Sequence, residues 1–420
     1  MRSLWTPAPT LGALLLVLSG AAAGCSDHAH EEQEAAGWEE LPQLTVDTVA
    51  EVGGSAATGP AALGSVRDAI ILEGAPRVAV AEGQSQEIRV FDGQDGRHVL
   101  SFGGVGEGPG EFTGLQRLAS LADGGVAAWD RIQNRLTTAG PDGDVRSVAA
   151  AASPGLSGRQ PSFVGVFPDG RYILRFQRSE RQLRGSPDGL WADTIPFLLY
   201  APSGELADTL AVAPAPARYL YDRGAVWGTE DLIFGRKLVG AVGLDHLLLA
   251  WDDLTYASAY SPGGHPCDLP TFPLAPRPVS SERIEAERAR RVDAVASSTP
   301  RVWDSRGVET TDAIARDRRS VIEALDTHFS TPAFDLLVVG GQGSMWIRRF
   351  PFPDEETTTW IVLSSSGEPE GRLTLPIDDQ IIAARADWLV LLSHDDLGSP
   401  IVRLVRALAN PEGRAGGSPP

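Results

Sequence analysis

The sequence predicts an all-β protein of six like sheet modules set radially around a channel. A helical insertion near residues 280–329 interrupts it, and an N-terminal signal peptide precedes it. Three observations carry this expectation. Short strand-like runs alternate with Gly, Asp and Pro turns along most of the chain. A single turn signature recurs at intervals that fit repeated sheet units. An apolar run close to Met1 has the length of an export signal rather than of a membrane span.

Composition bounds the rest. A chain of 420 residues has room for two or three domains of about 150 residues, or for one large β domain. The 46 glycines and 31 prolines predict many turns, and 42% hydrophobic residues are enough for a real core. Global disorder and a collagen-like structure are thereby excluded. The formal charge of −19 argues against a nucleic-acid partner, because such proteins carry a basic footprint.

Arg2 supplies the positive start of an export signal, and Leu11 to Leu18 (LGALLLVL) its apolar centre. That centre falls short of the roughly 20 apolar residues that cross a bilayer. Ala21, Ala22, Ala23 and Gly24 then lead to Cys25. The segment resembles a bacterial lipoprotein signal with its lipobox: Ala23, Gly24 and Cys25 fit, while Ala22 stands where Leu is commoner. The resemblance implies a signal peptide over residues 1–24 and lipidation at Cys25. Several acyl chains would hold the protein stably on a membrane of the cell envelope, facing periplasm or exterior. The alternative is a plain secretory signal cleaved near Ala23.

Cys25 and Cys267 are the two cysteines, so lipidation of the first leaves the second without a partner. A Cys25–Cys267 disulfide requires an unmodified Cys25. Residues 25–43 are rich in acids and read as a flexible tether. His28 and His30, beside Glu31 and Glu32, belong to that polar segment rather than to a metal site.

The repeat lies in the body of the chain. An apolar strand end, a short turn and a Gly recur at Phe91–Gly96, Ala139–Gly143, Tyr200–Gly204, Tyr260–Gly264 and Leu363–Gly367. The Gly-to-Gly intervals are 47, 61, 60 and 103 residues, one unit length followed by unit lengths with insertions. Glycine recurs because hairpin turns often need φ > 0. Upstream of the turns lie β-type apolar runs such as FVGVFPDGRYILRF and FDLLVVGGQGSMWIRRF, each followed by a further strand. Units that cannot bury both faces alone stack radially. A β-sandwich is the structural alternative, but it predicts no period of 50 to 60 residues.

Residues 103–143 carry a specific resemblance. Gly106, Gly108, Gly110 and Phe112, then Asp123-Gly124-Gly125, Val126 to Asp130, Asn134-Arg135 and Gly143, resemble one NHL-type repeat. Gly114 stands where such a repeat often has Pro. The whole chain is similar to bacterial lipoproteins of the six-bladed β-propeller type. The resemblance implies six four-stranded blades over residues 44–408, with a disordered tail over 409–420. The same resemblance implies closure by an N-terminal strand, and LTVDTVAEV, with Leu44, Val46 and Thr48 alternating, is expected to pair with the unit built from residues 380–408.

Two stretches depart from the repeat. Residues 177–195 lengthen a turn in the third unit. Residues 280–329 turn helical, with Ser280 or Ser281 as N-cap and a break at Pro300. In the second helix Ile314, Val321, Ile322, Leu325 and Phe329 are expected on one face, packed over the propeller.

No catalytic residues are legible. A G-x-S-x-G elbow is absent, and His265-x-Cys267-Asp268 lacks the partner ligands a zinc site needs. GGVGEGPGEF lacks the Lys-Ser/Thr of a phosphate loop, so Gly106, Gly108, Gly110 and Phe112 read as a structural inter-blade loop in which Phe112 plugs the sheets. Asp92, Asp95, Asp123, Asp130 and Asp142 are hard ligands suited to calcium, yet Asp at turns ordinarily serves turn hydrogen bonds. Lactonase-like propellers hold a channel ion with carboxylates and Asn, and Asn134 and Asn410 are the two Asn here. Arg171, Arg175, Arg178, Arg181 and Arg184 form a basic run that reads as a solvated face. Trp129-Asp130 and Trp251-Asp252 occupy matching places, with the aromatics expected between blades.

The expected function is therefore a monomeric, lipid-anchored binding module for a protein, peptide or glycan at a propeller face, with no cofactor. The alternative is a calcium-dependent hydrolase or lactonase-type propeller with a channel metal.

Overall fold

The computed structural model describes residues 37–74, 76–149, 156, 158–179, 183, 186–222, 227–243, 246–252, 257–268, 274–299 and 310–409. The signal segment, Cys25, His28, His30, Arg181, Arg184, Pro300, Asn410 and the tail beyond residue 409 lie outside the described residues. Among the described residues no helix is long and apolar enough to cross a membrane.

A strand at Gln43–Gly53 (β1) is followed by a four-stranded antiparallel sheet of β2 (Val66–Ile71), β3 (Arg77–Glu82), β4 (Glu87–Asp92) and β5 (His98–Gly103). The second sheet holds β6 (Leu115–Ser120), β7 (Val126–Asp130), β8 (Arg135–Ala139) and β9 (Val145–Ala149). The third begins with β10 (Arg159–Val166) and β11 (Tyr172–Arg178). A short strand, β12 (Gly189–Trp191), intervenes before the sheet ends with β13 (Thr194–Tyr200) and β14 (Leu206–Pro214). Strands β15 (Arg218–Asp222) and β16 (Trp227–Asp231) join β12 in a separate three-stranded sheet. The fourth sheet is β17 (Leu238–Val242), β18 (Leu247–Trp251), β19 (Ala257–Tyr260) and β20 (Pro266–Asp268).

Two helices follow, α1 (Ser281–Ser298) and α2 (Thr311–Glu323). The fifth sheet is β21 (Phe334–Val339), β22 (Met345–Arg349), β23 (Thr357–Leu363) and β24 (Pro369–Pro376). The sixth is β25 (Gln380–Arg385), β26 (Trp388–His394) and β27 (Pro400–Ala409), completed by β1, which joins the fifth and sixth into one continuous eight-stranded sheet of order β21-β22-β23-β24-β1-β27-β26-β25.

The sheets form a β-propeller. The first strand of each lies against the first strand of the next: β2 on β6, β6 on β10, β10 on β17, β17 on β21, β21 on β25, and β25 back on β2. Each seam between neighbours has its own apolar cluster. Phe112, Ile88 and Leu118 fill the first. Trp129, Phe163 and Leu198 fill the second, and Phe197, Leu238 and Leu249 the third. Phe334 and Ile347, then Trp346 and Trp360, fill the next two, and Val80, Val390 and Leu404 the last. Trp129 stacks on Phe163 at 6.3 Å with the rings 12° from parallel, so it is a seam residue as its repeat position predicts.

The recurring Gly signature marks one particular turn, that between the third and fourth strands. Gly96, Gly143, Gly204, Gly264 and Gly367 all have positive φ there. The sixth sheet has no such turn, because its fourth strand is β1, which arrives from the other end of the chain.

β1 pairs antiparallel with β27 from Leu44↔Ala409 to Gly53↔Ile401, and touches β24 in parallel at Gln43↔Arg372 and Leu44↔Leu373. The expected alternation of Leu44, Val46 and Thr48 holds only in part. A bulge between Thr48 and Ala50 re-phases the strand, and Thr48 is exposed. Leu44 and Val46 therefore pack into the fifth–sixth seam, while Ala50 and Val52 pack into the sixth–first seam.

Candidate functional site

Antiparallel order puts the second-to-third-strand turns and the crossings to the next sheet at one end of the propeller. Every insertion rises from that end. β12 lies between the second and third strands of the third sheet, β15 and β16 in the crossing from third to fourth, and α1 and α2 in the crossing from fourth to fifth. Together they build a cap with its own core, in which Tyr221, Ile233, Phe234, Val295, Val321 and Ile322 meet Phe352 of the fifth sheet. Ile314, Val321, Ile322 and Leu325 belong to this cap core, which meets the propeller at Phe350 and Phe352 of the fifth sheet. Phe329 does not join them: α2 ends at Glu323, and Phe329 is 71% exposed.

Polar contacts fix the cap. Ser280 caps α1, its hydroxyl accepting from the Arg283 N–H at 3.3 Å. Arg288 of α1 donates to the carbonyls of Ile322, Glu323 and Leu325 at 2.8, 2.9 and 3.2 Å, closing the C-terminal end of α2. Arg277 and Arg283 lie 4.0 and 3.9 Å from the Phe352 ring, tying the helices to the fifth sheet.

At the same end, acids, two of them buried (Glu82 and Asp130), hold loops rather than substrates. Asp130 Oδ2 accepts from the N–H groups of Thr113 and Gly114 at 2.6 and 3.1 Å, and Oδ1 from those of Ile132 and Gln133 at 2.8 and 2.9 Å. Glu82 does the same one sheet earlier, accepting from Ser65 at 2.9 Å and Ser85 at 2.6 Å. Burial pushes the Glu82 carboxyl up, but these donors outweigh it and hold it below its usual range. In the sixth sheet Asp395 accepts from Ser55, Leu397 and Ser399, which bring it down to about 2.

The other sequence-singled acids are turn residues: Asp92, Asp95, Asp123 and Asp142 each accept an N–H two residues on. The structure does not bring these five Asp together, and among the described residues no three His, Cys, Asp or Glu converge as metal ligands. His265 is exposed at a third-to-fourth-strand turn, and the side chains of Cys267 and Asp268 lie outside the described residues. In the glycine loop, Gly106 N–H donates to Phe112 O at 3.1 Å, Gly108 N–H to Glu111 Oε2 at 2.8 Å, and Gly110 has φ +81°. Phe112, which the loop delivers, is fully buried.

A cavity of about 280 Å³ opens between the third and fourth sheets beneath the cap. Arg175 and Arg178 of β11, Arg218, Arg236 and Lys237 line it, against two carboxylates, Asp193 and Asp231. Both carboxylates are engaged. Asp193 takes Arg159 at 3.0 Å and Arg178 at 3.3 Å, and Asp231 takes Arg218 at 2.8 Å. Burial would raise the Asp193 carboxyl, but the Thr194 N–H and the two guanidinium groups hold it below its usual range. Arg175 is half-buried and has no hydrogen-bond or ion-pair partner among the described residues. Burial and the nearby Arg117 charge both lower its pKa.

The basic run predicted as a solvated face is thus divided. Arg171 pairs with Asp169 at 2.7 Å at the far end of β11, while Arg175 and Arg178 enter the cavity. Sequence reasoning missed Trp191, Asp193, Arg218 and Asp231; their signal was the pair of insertions at 177–195 and 214–237, which bring them to one wall.

On the innermost strands, Asp68 of β2 accepts from the N–H groups of Leu118 and Ala69 at 2.9 and 3.0 Å. Arg117, 59% exposed, stands 3.9 Å away. Burial pushes the Asp68 carboxyl up to about 6, against the downward pull of Arg117 and the two N–H groups.

No family model matches the chain, and no curated protein matches it. Among solved structures it is similar to a protein described as exported from Bacteroides fragilis, at 10% identity and TM-score 0.44, covering 89% of this chain and 97% of that one. It is also similar to a DUF4221 family member from Bacteroides vulgatus, at 10% identity and TM-score 0.45, covering 88% and 99%. A third is virginiamycin B lyase from Staphylococcus aureus, at 10% identity and TM-score 0.39, covering 86% and 99%. Likenesses this distant say nothing of chemistry.

Proposed function

We propose that the chain is an exported six-bladed β-propeller, lipid-anchored through Cys25, that works as a monomeric binding module for a protein, peptide or glycan partner. The capped end is its binding face. One observation carries this. Eight large apolar side chains are left exposed among the described residues, and five of them lie at that end: Val105, Ile132, Phe329 and Leu397 in loops and Leu190 in the inserted strand β12. Apolar groups gathered on one rim are a mark of an interaction surface. The ring of first strands and the one-core-per-seam packing support six blades. The export signal read from residues 1–24 supports the location, with no cofactor and no nucleic acid involved.

The test is capture from native envelope extract by the purified mature protein and by a Val105→Asp, Ile132→Asp, Leu397→Asp variant. The expected result is a stoichiometric partner retained by the first and lost by the second at equal melting temperature. Equal capture by both would overturn the assignment of the face. Mass spectrometry of the mature N-terminus tests acylation of Cys25. Stoichiometric calcium, coupled to chelator-sensitive ester or lactone turnover, would replace the binding module with the hydrolase.

A further inference from the structure

We propose that the cavity between the third and fourth sheets binds the carboxylate of an acidic sugar unit, with Arg175 and Lys237 receiving the acid group. This rests on the capped end being the binding face and names the ligand class it takes.

The first support is charge. In a chain of net −19, this one cavity gathers five cationic side chains against two carboxylates. Those carboxylates are already bound by Arg159, Arg178 and Arg218, which leaves Arg175 and Lys237 to face the cavity. Arg175 is the decisive group. A half-buried guanidinium has lost much of its water, and here no acceptor replaces it among the described residues. An incoming carboxylate restores both the hydrogen bonds and the charge balance, and the planar fork of Arg fits it in two-point fashion. Lys237, the chain's single lysine, is exposed at the same wall and adds a mobile second cation.

The second support is shape. A volume of about 280 Å³ equals the liquid share of roughly nine water molecules, the scale of one monosaccharide rather than of a folded peptide. Trp191 and the Ala215-Pro216-Ala217 segment supply an aromatic and apolar wall on which the non-polar face of a sugar ring can lie. One edge of the wall is anchored, because Ala215 N–H donates at 2.7 Å to the carbonyl of Asp193, the residue whose carboxylate the two arginines grip.

The experiment is calorimetric titration of the full mature protein with trigalacturonate, galactotriose, inorganic phosphate, and a short peptide with a free or amidated C-terminus. Trigalacturonate is expected to bind and galactotriose not. Arg175→Gln and Lys237→Gln are each expected to weaken binding by about tenfold or more, the usual weight of a charge-assisted contact. Lys237 is exposed, so its variant folds even if Arg175→Gln does not. No binding of trigalacturonate by the unaltered protein, or equal binding by Lys237→Gln, overturns the proposal. Preference for phosphate, or for the free peptide C-terminus, overturns the sugar assignment. The Val105, Ile132 and Leu397 variant separates the two readings: it loses partner capture but keeps trigalacturonate binding. Failure of the rim and failure of the cavity are therefore distinct results.

Discussion

Asp68 on β2 accepts the N–H of Leu118 on β6 at 2.9 Å, so a buried carboxylate bridges the innermost strands of two neighbouring sheets. Its pKa of about 6 lies above that of an unfolded aspartate, so the folded protein holds the proton more tightly. The stability that this one group contributes is full below about pH 4, is lost as pH rises from about 4 to 6, and stays lost beyond, whereas carboxylates held below their usual range, such as Glu82 and Asp395, contribute in the opposite sense.

Asp68→Asn keeps an oxygen for Leu118 and removes the charge. It is expected to raise stability at pH 7.5 by about 2 kcal/mol and to flatten the pH 4 to 6 slope. Urea melts at several pH values measure both. A variant that keeps the wild-type slope would assign the slope to other groups.

Asp130 serves four backbone N–H groups, and Ala in its place takes away the buried acceptor that all four share. Asp130→Ala is expected to cost on the order of 3 kcal/mol, and Asp130→Asn less, since the amide keeps one acceptor oxygen. Denaturant midpoints report the difference, and a neutral Asp130→Ala would mean the loop is held by other contacts.

Deleting residues 44–53 strips β27 and β24 of a shared neighbour and opens two seams at once. The melting temperature is expected to drop sharply, with self-association through the bared edges. Calorimetry and light scattering follow the two effects. An unchanged melting temperature would show that the closing strand is dispensable.

Arg288 links the two cap helices, beside the Arg318–Ser298 hydrogen bond at 3.3 Å. Arg288→Ala takes a donor from three carbonyls at the end of α2, of which Ile322 O keeps the Leu325 N–H at 3.3 Å, and is expected to destabilise the cap by about 1 to 3 kcal/mol without touching the propeller seams. Hydrogen exchange should speed up in α1 and α2 alone. Uniform speeding across the sheets would instead mean that cap and propeller unfold together.

Much of the scaffold was legible in the residues. The Gly signature found the same hairpin in five sheets because that turn places a positive-φ Gly at a fixed distance from the strand end in all five, and the sixth sheet escaped it because its fourth strand comes from the N-terminal end of the chain. Trp129 and Phe112 declared themselves as seam residues through their repeat positions. The cavity was hidden. Arg175 and Arg178 lie on the strand that follows Arg171, and only the tertiary fold sends the first two toward Asp193 and Lys237. Phe329 misled for a related reason: helical periodicity was carried past Glu323, where the helix stops. The bulge beside Thr48 carries no composition signal, although it decides which seams β1 fills.

Glu51 and Arg403 form their 3.0 Å ion pair although they stand 352 positions apart in the chain. The interactions that complete the ring are therefore among the most distant in sequence, and such contacts form late and slowly during folding. Until the final strand of the nascent chain finds the first, every intermediate is an open arc with two raw sheet borders and an unfilled sixth–first seam. Passage through that arc is the step at which a helper holding the chain apart from its copies would matter most.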